Sequence, residues 1–283
     1  MTQEIEKLKN IKIKGASGKT ILLDLFIPKG NKRFPLLVFV HGFKGFKDWG
    51  HFNWLAEQFI KYDIAFCKFN FSHSGVNPEN PVDINDFETF GQNNYSKEVE
   101  DLGLVLDYLQ QCEQKARLET GNISVVGHSR GGATAVLCAV NDSRIRKLIL
   151  WASPFNLGRL FRPETIEQLE KEGKVWVENK RTGDVYPLYK QFYDDYLNNK
   201  AKLDIPNNIH KLAIPLLLIH GDKDESVSIK DSEQYYEAIP HAIFIKMEGA
   251  GHTFGATHPF VESQCKDIEM LHELVENTAE FIL

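Results

Sequence analysis

The 283-residue chain has only four cysteines, Cys67, Cys112, Cys138 and Cys265, scattered too widely to form a CxxC pair. That scarcity excludes a disulfide-stapled secreted scaffold and a thiolate metal site, so the thiols read as reduced and mostly buried. The chain lacks a Lys/Arg block and carries a formal net charge of −6, which sets nucleic acid aside as a partner. It has no long hydrophobic run: "LLVFV" and "PLLLI" are strand-sized and far short of a membrane span. The opening "MTQEIEKLKN" mixes acidic and basic residues, with no apolar segment of signal-peptide length. Repeats and low-complexity tracts are missing as well. These absences predict a cytoplasmic protein with no membrane association. What is present is globular composition, 42% hydrophobic and 25% charged, in a length that buries a substantial core.

Strand-like and helix-like stretches alternate. "IKIKGASGKTILLDLFIP" (11–28) reads as a hairpin around a Gly/Ser turn, and 35–40 and 64–71 read as apolar strands. Between those two, Trp54, Leu55, Phe59 and Ile60 recur at helical spacing. The pattern repeats with a helix over 96–114, a strand over 122–127, a small-residue helix over 131–140 and a strand over 147–153. Strands over 214–221 and 242–248 follow, each trailed by a helix. This predicts an α/β fold, a mostly parallel eight-stranded sheet with helices on both faces. Residues 154–213 exceed what one crossover needs and contain a predicted helix, hairpin and helix. The expected organisation is therefore a core of 1–153 and 214–283 with an inserted cap over 154–213.

One short stretch concentrates chemistry. "VVGHSRGG" (125–132) places Ser129 where a strand turns directly into a helix. Such a turn forces an uncommon backbone, and glycines at 127 and 131 remove the β-carbons that would clash there. The G-x-S-x-G pentapeptide arises by chance in roughly one chain in ten of this length, so the flanking strand and helix carry much of the weight. A serine hydroxyl needs a base to take its proton. "MEGAGHTF" (247–254) offers His252 in a glycine-rich loop after the last strand, and "HGDKDESV" (220–227) offers Asp222, Asp224 and Glu225. The order serine, acid, histidine matches a nucleophile-elbow hydrolase. His41, His128 and His220, which flank motif glycines, read as structural, and His51 and His73 as solvated or locally bonded.

Taken together, "HGFKG", "GHSRGG", "HGDKDESV" and "GAGHTF" resemble the α/β-hydrolase superfamily over nearly the whole chain. "HGFKGFKDWGHFNWLAEQF" and the modest insertion after the sixth core strand resemble more closely the dienelactone-hydrolase and prolyl-oligopeptidase-like branch, especially bacterial feruloyl (cinnamoyl) esterases. The fourth strand departs: relatives often read F-D-F-R-G-x-G where this chain has "FNFSHSG". In relatives the acid lies three residues after the glycine of H-G-x-x-D, which implies Asp224 over Asp222 and Glu225. The resemblance implies a serine esterase acting on small acyl or aryl esters through an acyl-enzyme. Ser129 would be the nucleophile, His252 the base and Asp224 its partner, with an oxyanion hole from the backbone N–H groups of Phe43 and Arg130. Its rate would rise with pH as the base loses its proton.

Large rings crowd the expected cap. Phe155, Phe161, Trp176 and Tyr189 are candidates to wall the substrate, while most of the rings, Tyr186, Phe192, Tyr193 and Tyr196 among them, would bury one another. The expected ligand is a small-molecule ester, with no cofactor and no metal, and a homodimer is compatible with the sequence. The competing readings are a peptidase, a thioesterase or another acyl transferase of the same fold, and a catalytically silent binding protein.

Overall fold

The computed structural model of the chain describes residues 4–79, 81, 83–179 and 183–283. Its strands are β1 (Ile5–Lys14), β2 (Thr20–Pro28), β3 (Phe34–Val40), β4 (Ala65–Asn70), β5 (Leu118–His128), β6 (Ile145–Trp151), β7 (Lys174–Glu178), β8 (Val185–Tyr189), β9 (Leu216–Gly221) and β10 (Ile243–Met247). Its helices are α1 (Phe52–Lys61), α2 (Phe87–Gly91), α3 (Tyr95–Gln111), α4 (Arg130–Ala139) and α5 (Pro163–Glu172). They continue with α6 (Gln191–Asn198), α7 (Lys200–Leu203), α8 (Ile205–Asn208), α9 (Ile229–Ala238) and α10 (Ile268–Ile282).

Eight strands form one sheet in the order β1-β2-β4-β3-β5-β6-β9-β10. The pairs β1/β2 and β2/β4 are antiparallel and the remaining pairs parallel, the expected mostly parallel sheet. The central strands read as continuous apolar runs because both of their faces are covered. In β3, Leu36, Val38 and Val40 pack with residues of α3 and α4, whereas Leu37 and Phe39 pack with residues of α1 and α10. The same period of two divides Leu148 and Leu150 from Ile149 and Trp151 in β6. β1 starts at Ile5, earlier than residue 11, because its charged, half-exposed pattern marks an edge strand rather than an apolar run.

Strand order fixes where a site can form. From β3 the chain moves to β4 on one side, and β5 lies on the other, so Val40 at the end of β3 pairs with Gly127 near the end of β5. A crevice opens at such a switch point, beyond the carboxyl ends of the strands.

Between β6 and β9 lie α5, the β7–β8 hairpin and α6 to α8. Pro163 opens α5 and Gly173, at φ 72°, ends it. β7 and β8 pair antiparallel where a hairpin was expected, and its turn at 180–182 lies outside the described residues. This segment rests on α2 and α3. The Tyr186 ring lies 5.0 Å from those of Phe87 and Phe90, and Phe192 lies 4.7 Å from Tyr95. Helix α2 has no counterpart in the sequence reading, since five residues are too few to show a period. Among the described residues, no helix is long and apolar enough to cross a membrane.

Candidate active site

Ser129 sits between β5 and α4 with φ 55° and ψ −130°, a conformation a non-glycine residue seldom adopts. Its neighbours impose it. A β-carbon on Gly127 would meet the backbone of Gly132 at 2.4 Å, and one on Gly131 would meet the Val40 carbonyl oxygen at 2.3 Å. Both glycines therefore permit α4 to start directly against the ends of β3 and β5. The Ser129 N–H donates to the Trp151 carbonyl at 2.8 Å, which fixes the turn on β6.

The structure brings Ser129, His252 and Asp224 together. Ser129 Oγ is 3.0 Å from His252 Nε2, and His252 Nδ1 is 2.7 Å from Asp224 Oδ2. With Nδ1–H donating to the carboxylate, Nε2 is left as the acceptor for the serine proton. Asp224 is buried and accepts the N–H groups of Ser226 and Val227 at 2.8 and 2.9 Å. His220 Nε2 lies 3.2 Å from the same Oδ2. Burial works to raise the Asp224 pKa, but the bonds from His220 and His252 outweigh it and hold the carboxyl well below the usual range. Asp222 instead accepts the Gly249 N–H at 2.7 Å, tying the end of β9 to the loop that carries His252.

The flanking histidines act as braces. His128 Nε2–H donates to the His252 carbonyl at 2.8 Å, and burial first of all pulls its pKa down to about 3, leaving it neutral. His220 receives the Ser232 hydroxyl on Nδ1 at 2.7 Å and donates from Nε2 to the Val227 carbonyl at 3.0 Å. His41 donates to the Gly42 carbonyl at 2.9 Å. His73 is locally bonded as expected, its Nδ1 2.8 Å from Ser72 Oγ. Both it and His51 are buried rather than solvated, and burial is the main cause that lowers the His51 and His73 pKa values to about 3 and about 4.

Phe43 follows β3 and Arg130 opens α4, and among the described residues no acceptor takes either backbone N–H. Beneath the loop of Phe43 lies a charged quartet that the sequence reading did not anticipate. Lys68 Nζ donates to Asp24 Oδ2 at 2.8 Å, Asp48 Oδ1 at 2.6 Å and the Lys47 carbonyl at 2.8 Å. Lys47 Nζ donates to Asp24 Oδ2 at 2.9 Å and Asp48 Oδ2 at 2.5 Å, while the Lys47 N–H donates to Asn70 Oδ1 at 2.5 Å. Two cations face two carboxylates, so the burial is electrically balanced. Burial works to raise the Asp48 pKa, but Lys68 and Lys47 outweigh it and bring it down to about 2. The available signal was an aspartate inside "LLDLF" and a lysine inside "FCKFNF", charges placed where apolar strands were expected.

Two cavities meet at Ser129 and His252. One, of about 190 Å³, reaches Trp49, Phe52 and Thr253, and the other, of about 280 Å³, reaches Tyr95, Leu157, Arg159 and Val227. Phe43 borders both. None of the four expected wall residues lines either of these two cavities. Phe155 stacks edge-on against Tyr235 at 4.8 Å, and the Tyr189 hydroxyl donates to Glu88. Phe161 and Trp176 line a third cavity of about 270 Å³. The Arg130 guanidinium pairs with Glu98 at 2.8 Å and lies over the Tyr95 ring at 4.6 Å, so it holds α4 to α3. Among the described residues, no three or more His, Cys, Asp or Glu side chains are placed to hold a metal ion.

Comparison with known proteins adds three kinds of likeness. A family model described as BD-FAE matches residues 23–239. A provisionally named esterase/lipase of Mycoplasma genitalium is 26% identical over 234 residues, covering 82% of this chain and 76% of the relative. Lipase 3 of Moraxella sp. is 25% identical over 265 residues, covering 81% and 73%. Among solved structures, ferulic acid-bound Est1E from Butyrivibrio proteoclasticus superposes with a TM-score of 0.70 at 20% identity, covering 96% of this chain and 99% of that one. At that identity the likeness establishes the fold, and the fold is that of the α/β-hydrolases.

Proposed function

Since the chain belongs to the BD-FAE family, we propose that it is a serine esterase that cleaves carboxylic esters through an acyl-enzyme. Ser129 Oγ attacks the ester carbonyl while His252 Nε2 takes its proton, and Asp224 steadies the imidazolium that forms. The carbonyl oxygen becomes an oxyanion and receives the N–H groups of Phe43 and Arg130, donors already fixed before the substrate arrives. His252 then protonates the departing alcohol. In the second half His252 takes a proton from water, the hydroxide attacks the acyl carbon, and Ser129 leaves with its proton restored. Residues 154–213 serve as the cap that closes one side of this crevice. The observation that carries the reading is the contact chain of 3.0 and 2.7 Å running from a serine held at φ 55°.

The test is p-nitrophenyl acetate turnover by wild type and Ser129→Ala. The variant is expected to lose activity on the order of 10⁶-fold in kcat, the scale of removing a triad serine. Equal turnover by both proteins would overturn the assignment. An acyl-thioester run alongside separates an esterase from a thioesterase using the same serine.

A further inference from the structure

Phe43 lines all three cavities, and Leu160 lines the second and third, so the third cavity adjoins the compartment at Ser129 at a Phe43–Leu160 waist. The third compartment lies between α5 and the β7–β8 hairpin, with walls of Phe161, Leu169, Val175, Val177 and Leu188. Its carboxylate, Glu164, belongs to the exposed first turn of α5. Two large apolar residues on its lining, Trp176 at 50% and Leu160 at 40%, stay exposed to water. Apolar area left uncovered beside an apolar hollow is stabilised by whatever apolar group enters it.

Resting on the esterase reading, we propose that this third compartment is a second substrate subsite, taking the far end of an extended apolar chain on the ester whose carbonyl lies at Ser129. The preferred substrates are then medium- and long-chain esters, and selectivity is set in the inserted segment, beyond the catalytic groups. A chain that stops short of the waist gains nothing from the compartment. Each methylene that passes the waist adds roughly fourfold in kcat/KM until the hollow is filled.

The experiment compares p-nitrophenyl acetate, butyrate, octanoate, decanoate and palmitate, with n-alkyl acetates as a second arm, on wild type, Thr165→Trp and Val177→Trp. Both positions line the third cavity and neither lines the two at Ser129. Wild type is expected to prefer octanoate or decanoate over acetate. Each tryptophan variant is expected to keep the acetate rate and to lose decanoate on the order of tenfold to a hundredfold. A chain-length effect confined to alkyl acetates assigns the subsite to the alcohol side and leaves it standing. Good turnover of acetate with no gain on lengthening in either series, or long-chain rates of both series unmoved in both variants, overturns the subsite and spares the esterase reading. Inertness of wild type on every ester overturns both. An intact acetate rate in either variant shows that its site is folded.

Discussion

Two walls of the same crevice are built by opposite physics. The loop of Phe43 is tied down by charge: Asp24 on β2 and Lys68 on β4 are cross-strand partners, and together they grip Lys47 and Asp48 just beyond the loop. The inserted segment packs internally through a ring cluster, with Phe161 at 5.3 Å from Phe192 and at 5.0 Å from both Tyr193 and Tyr196. Charge-assisted hydrogen bonds are directional and fix positions to fractions of an ångström. Ring pairs prefer offset or edge-on geometry, but each such preference is worth only about 0.5–1.5 kcal/mol, so a neighbour shifts at smaller cost than a buried ion pair does. An oxyanion donor needs the first kind of support and a pocket that must fit a chain tolerates the second. The difference teaches where this molecule keeps its rigidity.

The sharpest way to break the comparison is Lys68→Met. It leaves Asp24 and Asp48 facing one cation instead of two in a buried setting, so a loss of about 3–5 kcal/mol is expected in urea unfolding. The p-nitrophenyl acetate kcat should fall while KM moves little, because the loop that loses its anchor carries a donor used chiefly in the transition state. A loss below about 1 kcal/mol would mean that the quartet does not hold the loop. Acid probes the same quartet more gently. The Asp48 pKa is depressed to about 2 from 3.8, so the stability linked to it is complete above about pH 4 and disappears as pH falls through 2. That amounts to about 2 kcal/mol. Wild type should therefore weaken over this window, and Lys68→Met should weaken less.

These contrasts also explain what could be read from the sequence. The alternation of strands and helices was legible because the central strands are apolar on both faces and the helices show their own period. The contacts among Ser129, His252 and Asp224 were legible because each residue lies in a short glycine-rich motif at a strand end. Asp224 could be separated from Asp222 only by family spacing, and the physical distinction is a single bond, since Asp222 turns to the Gly249 N–H. The quartet was not legible. Its members lie on two strands and a loop, and their partnership depends on the antiparallel register of β2 with β4. Nor could composition show which rings face the crevice. Phe155 and Tyr189 turn toward Tyr235 and Glu88, partners set by how the segment docks.

Phe161→Ala sharpens the comparison from the other side. The ring is only half buried and has three aromatic neighbours, so its loss should cost about 1–2 kcal/mol, less than a fully buried phenylalanine. Its neighbours are rings that can settle toward the gap, whereas a stranded carboxylate cannot settle into anything. The acetate kcat should be unchanged, since no hydrogen bond to the loop of Phe43 passes through this cluster. Decanoate should respond through KM, because Phe161 lines the third compartment. Measured together, Lys68→Met acting on kcat and Phe161→Ala acting on KM would separate the wall that stabilises the transition state from the wall that selects the chain. If Phe161→Ala lowers the acetate kcat as Lys68→Met does, the two walls are mechanically one, and the ring cluster supports the loop across the crevice.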